Sequence, residues 1–130
     1  MGALPKISDA EWEVMKVVWR AGRAVSSETI VEALSHKDWQ SKTVRTLIAR
    51  LVKKRALAYQ KSGRAYLYSA LVSERDCALE ESQSLLDRLF GGSLAPMLAN
   101  LVEQRRLKKE DIAELEAILR SSSKETKKRG

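Results

Sequence analysis

Between Lys37 and Arg64 the chain carries nine basic residues (Lys37, Lys42, Arg45, Arg50, Lys53, Lys54, Arg55, Lys61 and Arg64) against one acid, Asp38. The net of +8 there exceeds the +7 of the whole chain, because residues 1–36 net −1, residues 65–120 net −3 and the last ten net +3. Positive charge concentrated in this way suits a polyanion. Each cation that neutralises a phosphate releases a condensed counterion, and that release supplies most of the affinity for a duplex. Other chemistries have little to work with. One histidine, His36, and one cysteine, Cys77, with no glycine-rich phosphate loop and no cluster of ligating side chains, leave no catalytic or metal site to assemble. The expectation is a non-enzyme without cofactor or metal.

The elements that must hold this charge are legible from periodicity and capping. Ser8 and Glu11 stand as a capping box before a helix that buries Trp12, Met15, Val18 and Trp19 and stops at Gly22. A short link through Val25 leads to a second helix capped at Ser26-Ser27, with Ile30, Val31 and Leu34 inward and its end near His36. A third helix opens at Ser41, read as its cap. Val44, Leu47, Ile48, Leu51 and Val52 fall on one stripe, and the basic residues lie off it. Residues 57–68 then alternate with period two around Ser62-Gly63, as a hairpin does. Three helices followed by a hairpin make a winged helix-turn-helix. The three tryptophans and Tyr59, Tyr66 and Tyr68 fit packing roles better than base stacking, His36 a helix-end position, and Cys77 a small packed residue.

The second half reads differently. Ser73 and Asp76 cap a helix over 74–90, Gly91-Gly92 break it, and Leu94, Met97, Leu98, Leu101 and Val102 stripe the next, with Pro96 confined to its first turn. Ile112, Leu115, Ile118 and Leu119 line a last short helix, and residues 121–130 read as a disordered basic tail. Helices this short are marginal alone, so their stripes need a partner, and a second copy supplies one. Leu85, Leu89, Leu94, Met97, Leu98, Leu101, Ile112, Leu115 and Leu119 are the candidate dimer residues. The division expected is 1–72 for DNA, 73–120 for dimerisation and 121–130 as tail. No run is long enough to span a membrane, the first residues lack a signal-peptide core, and a lone cysteine suits a reducing compartment, so a cytoplasmic protein is expected.

These pieces resemble the BlaI/MecI/CopY penicillinase-repressor family. The resemblance rests on ISDAEWEVMKVVW at 7–19, KDWQSKTVRTLIARLVKK at 37–54, the wing through Ser69, SERD at 73–76 and the Gly91-Gly92 break. It implies a homodimeric repressor of a palindromic operator in double-stranded DNA, with helix 41–54 in the major groove. Lys42, Thr43 and Arg45 then face bases, where arginine can bond guanine through two donors and the threonine methyl can touch thymine. Ser41, Thr46, Arg50, Lys53, Lys61 and Arg64 grip the backbone. In the β-lactam branch a sensor-dependent protease cuts an Asn-Phe bond in the dimerisation region; the aligned bond here is Asn100-Leu101, with leucine in place of the aromatic. The copper branch uses paired Cys-x-Cys motifs, which Cys77 alone cannot supply. Two alternatives stay open: a winged-helix protein–protein module without specific DNA binding, and a copper-branch repressor with a different sensor.

Overall fold

The structure, a computed structural model, describes residues 4–129, with side chains through Ser123. The order is α1 (Asp9–Ala21), β1 (Val25–Ser26), α2 (Ser27–Ala33), a 3-10 turn at Ser35–Lys37, α3 (Ser41–Lys53), β2 (Leu57–Ser62), β3 (Ala65–Ala70), α4 (Glu74–Phe90), α5 (Leu94–Glu103) and α6 (Lys109–Arg129). The chain divides into two compact units, residues 1–82 and 83–130. The division between these units falls inside α4. Cys77, in the first part of α4, is buried with the core of the first unit.

In the first unit the capping box forms as its spacing predicts. The Glu11 N–H donates to Ser8 Oγ at 3.1 Å and the Ser8 N–H donates to Glu11 Oε1 at 2.8 Å. Gly22 closes α1 in the left-handed region at φ 65°. Val14, Met15 and Val18 of α1 pack with Ile30 of α2 and with Val44, Leu47, Ile48 and Leu51 of α3, while Leu57 and Val25 close the core from the sheet. Trp12 and Trp19 meet edge-on at 5.4 Å, and the Trp19 Nε1–H donates to the Val72 carbonyl at 2.9 Å, so both serve packing.

Three local features differ from the sequence reading. Ser41 is the first residue of α3 rather than its cap; extended Gln40 (φ −71°, ψ 152°) takes that place without a side-chain bond, because its carbonyl already receives the Thr43 and Val44 N–H groups. The hairpin register pairs Ser62 with Ala65, so the turn is Gly63-Arg64, one residue later than Ser62-Gly63. Its first central position has φ 63°, which glycine adopts without strain. Val25, read as part of a link, and Ser26, which caps α2 as read, also form a third strand, with Val25 opposite Tyr68 and Ser26 opposite Leu67, and the sheet order is β1-β3-β2. Two residues have no period for a pattern to reveal.

Among the described residues one charged side chain is in the core: Glu11, 2% exposed. Its carboxylate receives Lys54 Nζ as well as the Ser8 N–H, and Lys54 also donates to the Lys6 carbonyl at 2.8 Å. Burial alone would raise the Glu11 pKa. Hydrogen bonds from Lys54 and from Ser8, with the Lys54 charge, outweigh that and hold it below the ordinary value.

The second unit is built of the later part of α4, α5 and α6. Gly91 and Gly92, both at positive φ, end α4, and Pro96 sits in the first turn of α5. The last helix continues to Arg129, so the segment expected from Ser121 as a disordered tail is helical as far as the structure describes it; Lys, Glu and Arg are good helix formers and nothing breaks the run. None of the described side chains from Gln83 to Ser123 is buried. Among the described residues, no helix is long and apolar enough to cross a membrane.

Replacing Glu11 by Gln is expected to cost about 1–3 kcal/mol at neutral pH, the range for hydrogen bonds to a charged group. The folded-state pKa lies below the unfolded one, so this stabilisation is complete at neutral pH and fades as the pH falls through about 4.3 and then the lowered value. Urea denaturation across pH 3–7 checks it: the gap between wild type and Glu11→Gln should close on acidification.

Candidate nucleic-acid interface

α3 has one buried stripe, so its remaining residues must face outward. Ser41, Lys42, Thr43, Arg45, Thr46, Arg50 and Lys53 are all exposed. Lys42, Thr43, Thr46 and Arg50 line a shallow groove together with Gln40 and Leu47. The Thr46 hydroxyl donates to the Lys42 carbonyl at 2.9 Å, which holds its rotamer and leaves the oxygen able to accept. The first turn of α3 thus offers donors of different reach on one surface, as a helix that enters a groove requires.

Arg45 is engaged differently. Its Nη1 donates to Ser27 Oγ at 2.8 Å, and its Nη2 lies 3.5 Å from Glu28 Oε1, both at the start of α2. The Glu28 carboxyl is held below its ordinary value, foremost by its own backbone N–H, with desolvation opposing and the Arg45 charge assisting. Neither Ser27 nor Glu28 stands out in the sequence. The only local signal is the Ser26-Ser27 capping pair, and a contact 18 residues away has no pattern to announce it.

The hairpin adds the second flank. Its register sets Tyr59 opposite Tyr68 and Lys61 opposite Tyr66, so these four residues share one face of the ribbon. Tyr59 meets Tyr66 edge-on at 5.3 Å, and Tyr59, Tyr66 and Tyr68 line a groove with Ala49 and Val52 of α3. The tyrosines therefore brace the wing beside α3. Lys61 near the tip and Arg64 in the turn are exposed.

Two of the nine cations have structural posts instead. Lys37 Nζ lies 3.4 Å from Glu13 Oε1 and 5.9 Å from the Trp39 ring centroid, while Lys54 serves Glu11. His36 is in the 3-10 turn after α2. Burial, with the Asp76 charge beside it, pushes the Cys77 thiol pKa up, which disfavours a reactive thiolate. Among the described residues no group of three or more His, Cys, Asp or Glu is placed to hold a metal ion.

The candidate dimer residues lie in α4, α5 and α6. Leu85, Leu89, Leu94, Ile112 and Leu119 are exposed, and Met97, Leu98, Leu101 and Leu115 half-buried. Asn100 and Leu101 sit in the last half of α5, their carbonyls bonded to the Gln104 N–H at 3.1 Å and the Arg106 N–H at 2.9 Å.

A family model described as penicillinase repressor matches residues 7–121. The penicillinase repressor of Bacillus licheniformis is 40% identical over 119 residues, which is 92% of this chain and 93% of that protein. The methicillin resistance regulatory protein MecI of Staphylococcus aureus strain N315 is 37% identical over 114 residues, 88% of this chain and 93% of its own length. The solution structure of Bacillus licheniformis BlaI, monomeric and in complex with the blaP half-operator, is 40% identical with a TM-score of 0.50, over 58% of this chain and 93% of that one. The winged-helix fold is shared with the DNA-binding domain of the repressor BlaI, 40% identical with a TM-score of 0.51 over 58% of this chain and 93% of that one.

The difference between a free cation and one already engaged is measurable. Lys61→Ala is expected to lower the slope of log K against log salt for duplex binding by about 1, equally for all sequences. Lys37→Ala, whose ammonium already meets Glu13 and Trp39, should leave the slope unchanged. A salt series by fluorescence anisotropy checks both.

Proposed function

The chain belongs to the penicillinase repressor family, a family of DNA-binding regulators rather than enzymes, and on that premise we propose that it is a homodimeric transcriptional repressor of a palindromic operator. Each copy lays α3 in the major groove of one half-site and the β2–β3 wing along the adjoining backbone. The observation that carries this reading is the outer face of α3, where Lys42, Thr43, Thr46 and Arg50 share one exposed groove above a stripe wholly committed to the core. Lys42, Thr43 and Arg45 read bases. Ser41, Thr46, Arg50, Lys53, Lys61 and Arg64 hold phosphates and set register. Residues 1–72 are the DNA-binding region, 73–120 the dimerisation region, and the protein acts in the cytoplasm.

The second unit supports the dimer by what it leaves uncovered. Leu89 is 59% exposed, Ile118 61% and Leu119 62%, and no side chain described between Gln83 and Ser123 is buried. Isolated leucines on a surface are ordinary, but the later part of α4 together with α5 and α6, with no buried side chain among the described residues, lacks the burial that stabilises a fold. A second copy provides it, and joining two half-site contacts makes the second effectively intramolecular. Any signal that separates the copies therefore releases the operator. A cut at Asn100-Leu101 by a sensor-dependent protease is the route we favour, since it detaches α6 from the winged unit. Both carbonyls are hydrogen-bonded within or just beyond α5, so the bond becomes cleavable only when that helix opens locally.

The test begins with an operator selected by the full-length chain from random duplexes. Arg45→Ala should cost about 1–3 kcal/mol and relax choice at one base pair per half-site, whereas Lys53→Ala should weaken all sequences alike and flatten the salt slope. Salt-independent, equal losses in both variants would overturn these roles. Leu101→Asp is expected to shift sedimentation from dimer to monomer and, by undoing the linkage, to lower operator affinity by about a hundredfold or more.

A further inference from the structure

We propose that Ser27 and Glu28, at the start of α2, are specificity-determining residues that position Arg45 for base reading without touching the base themselves. The proposal rests on the reading that Arg45 meets a base edge. A guanidinium carries five N–H donors in a rigid fork, and the two contacts here engage one hydrogen of Nη1 and the Nη2 side, leaving the Nε–H edge for a base. An arginine on an exposed helix face samples many rotamers. One pinned by a hydroxyl at 2.8 Å and a carboxylate at 3.5 Å arrives with its plane already set, so less ordering accompanies recognition.

The latch is built on the sheet rather than on a loose segment. Ser26, the residue before Ser27, pairs with Leu67 of β3, and its Oγ receives the Thr29 N–H at 3.2 Å as the cap of α2. Ser27 and Glu28 are therefore held by the same strand that forms one side of the wing, so the recognition side chain and the wing share one anchor. Stability does not explain the pair. Arg45 is 49% exposed and Glu28 69%, and an ion pair that wet contributes little to folding. A geometric role does, because the pair lies beside the surface from which phosphates and bases would exclude water.

Operator binding by the full-length chain, measured against single substitutions at the base pair that Arg45 reads, tests this. Glu28→Gln removes a negative charge near the DNA and should raise affinity for every sequence, yet discrimination at that one base pair should fall roughly fivefold, the lower end of what one bidentate contact supplies. Ser27→Ala keeps the charge and should lower the same discrimination with no change in salt slope. In an Arg45→Ala background neither substitution should alter discrimination, and 15N relaxation of the Arg45 side chain in the free wild type should show it more ordered than in Glu28→Gln. If Arg45→Ala abolishes discrimination but both α2 variants leave it within twofold, the positioning role is wrong and the base-reading role stands. If Arg45→Ala itself changes nothing, the base-reading role is what fails, and the positioning role with it.

Discussion

The winged unit depends on one buried carboxylate. Glu11 is taken out of water on α1, and a charge in that position is tolerable only when its lone pairs are met. Ser8 meets them from the chain just before α1, and Lys54 meets them from the residue that ends α3. Lys54 also reaches the Lys6 carbonyl, so the entry to α1 and the exit of α3 are joined at one point. Apolar contacts among Met15, Ile48 and Leu51 press the two helices together, but such contacts are non-directional and let helices slide. The hydrogen-bonded charge adds direction. It fixes where along α1 the recognition helix ends, and so how far its first turn stands out.

From that constraint the division of labour among the basic residues follows. A cation near a core carboxylate is drawn to it, and Lys54 is used up there, while Lys37 is held by Glu13 and the Trp39 ring. Among the described residues the cations further out on α3 and on the hairpin have no such partner, apart from Arg45, which meets Ser27 and Glu28 of α2. The face offered to a duplex is thus narrower than the raw charge suggests, and more ordered. The tyrosines pack on one another across the hairpin and, with Ala49 and Val52 of α3, line the groove between wing and helix.

The second unit is organised on the opposite principle. Its helices have apolar stripes, yet none of their described side chains from Gln83 to Ser123 is buried, and in the proposed dimer a second copy would supply that burial. On that proposal, removing one helix would remove burial that holds the two copies together. The Asn100-Leu101 bond lies inside α5 and ahead of α6.

Much of this was legible in the residues alone. Capping at Ser8 and Glu11, the α3 stripe, the alternation of 57–68 and the Gly91-Gly92 break are local patterns, set by backbone hydrogen bonding and helical or strand period, which neighbouring residues determine among themselves. The basic face of α3 follows too, since a helix that buries one stripe must expose the rest. What the tertiary structure decided are contacts between residues far apart in the chain. Lys54 looked like one more cation until Glu11 was placed beside it, Val25 looked like part of a link until β3 came alongside, and Arg45 looked free until the start of α2 met it. The turn at Gly63-Arg64 belongs to the same class, because a strand register is settled by pairing across the hairpin and not by either strand. Local sequence specifies what each segment can be; which charges are spent inside the fold and which remain for a partner depends on distances that only packing sets.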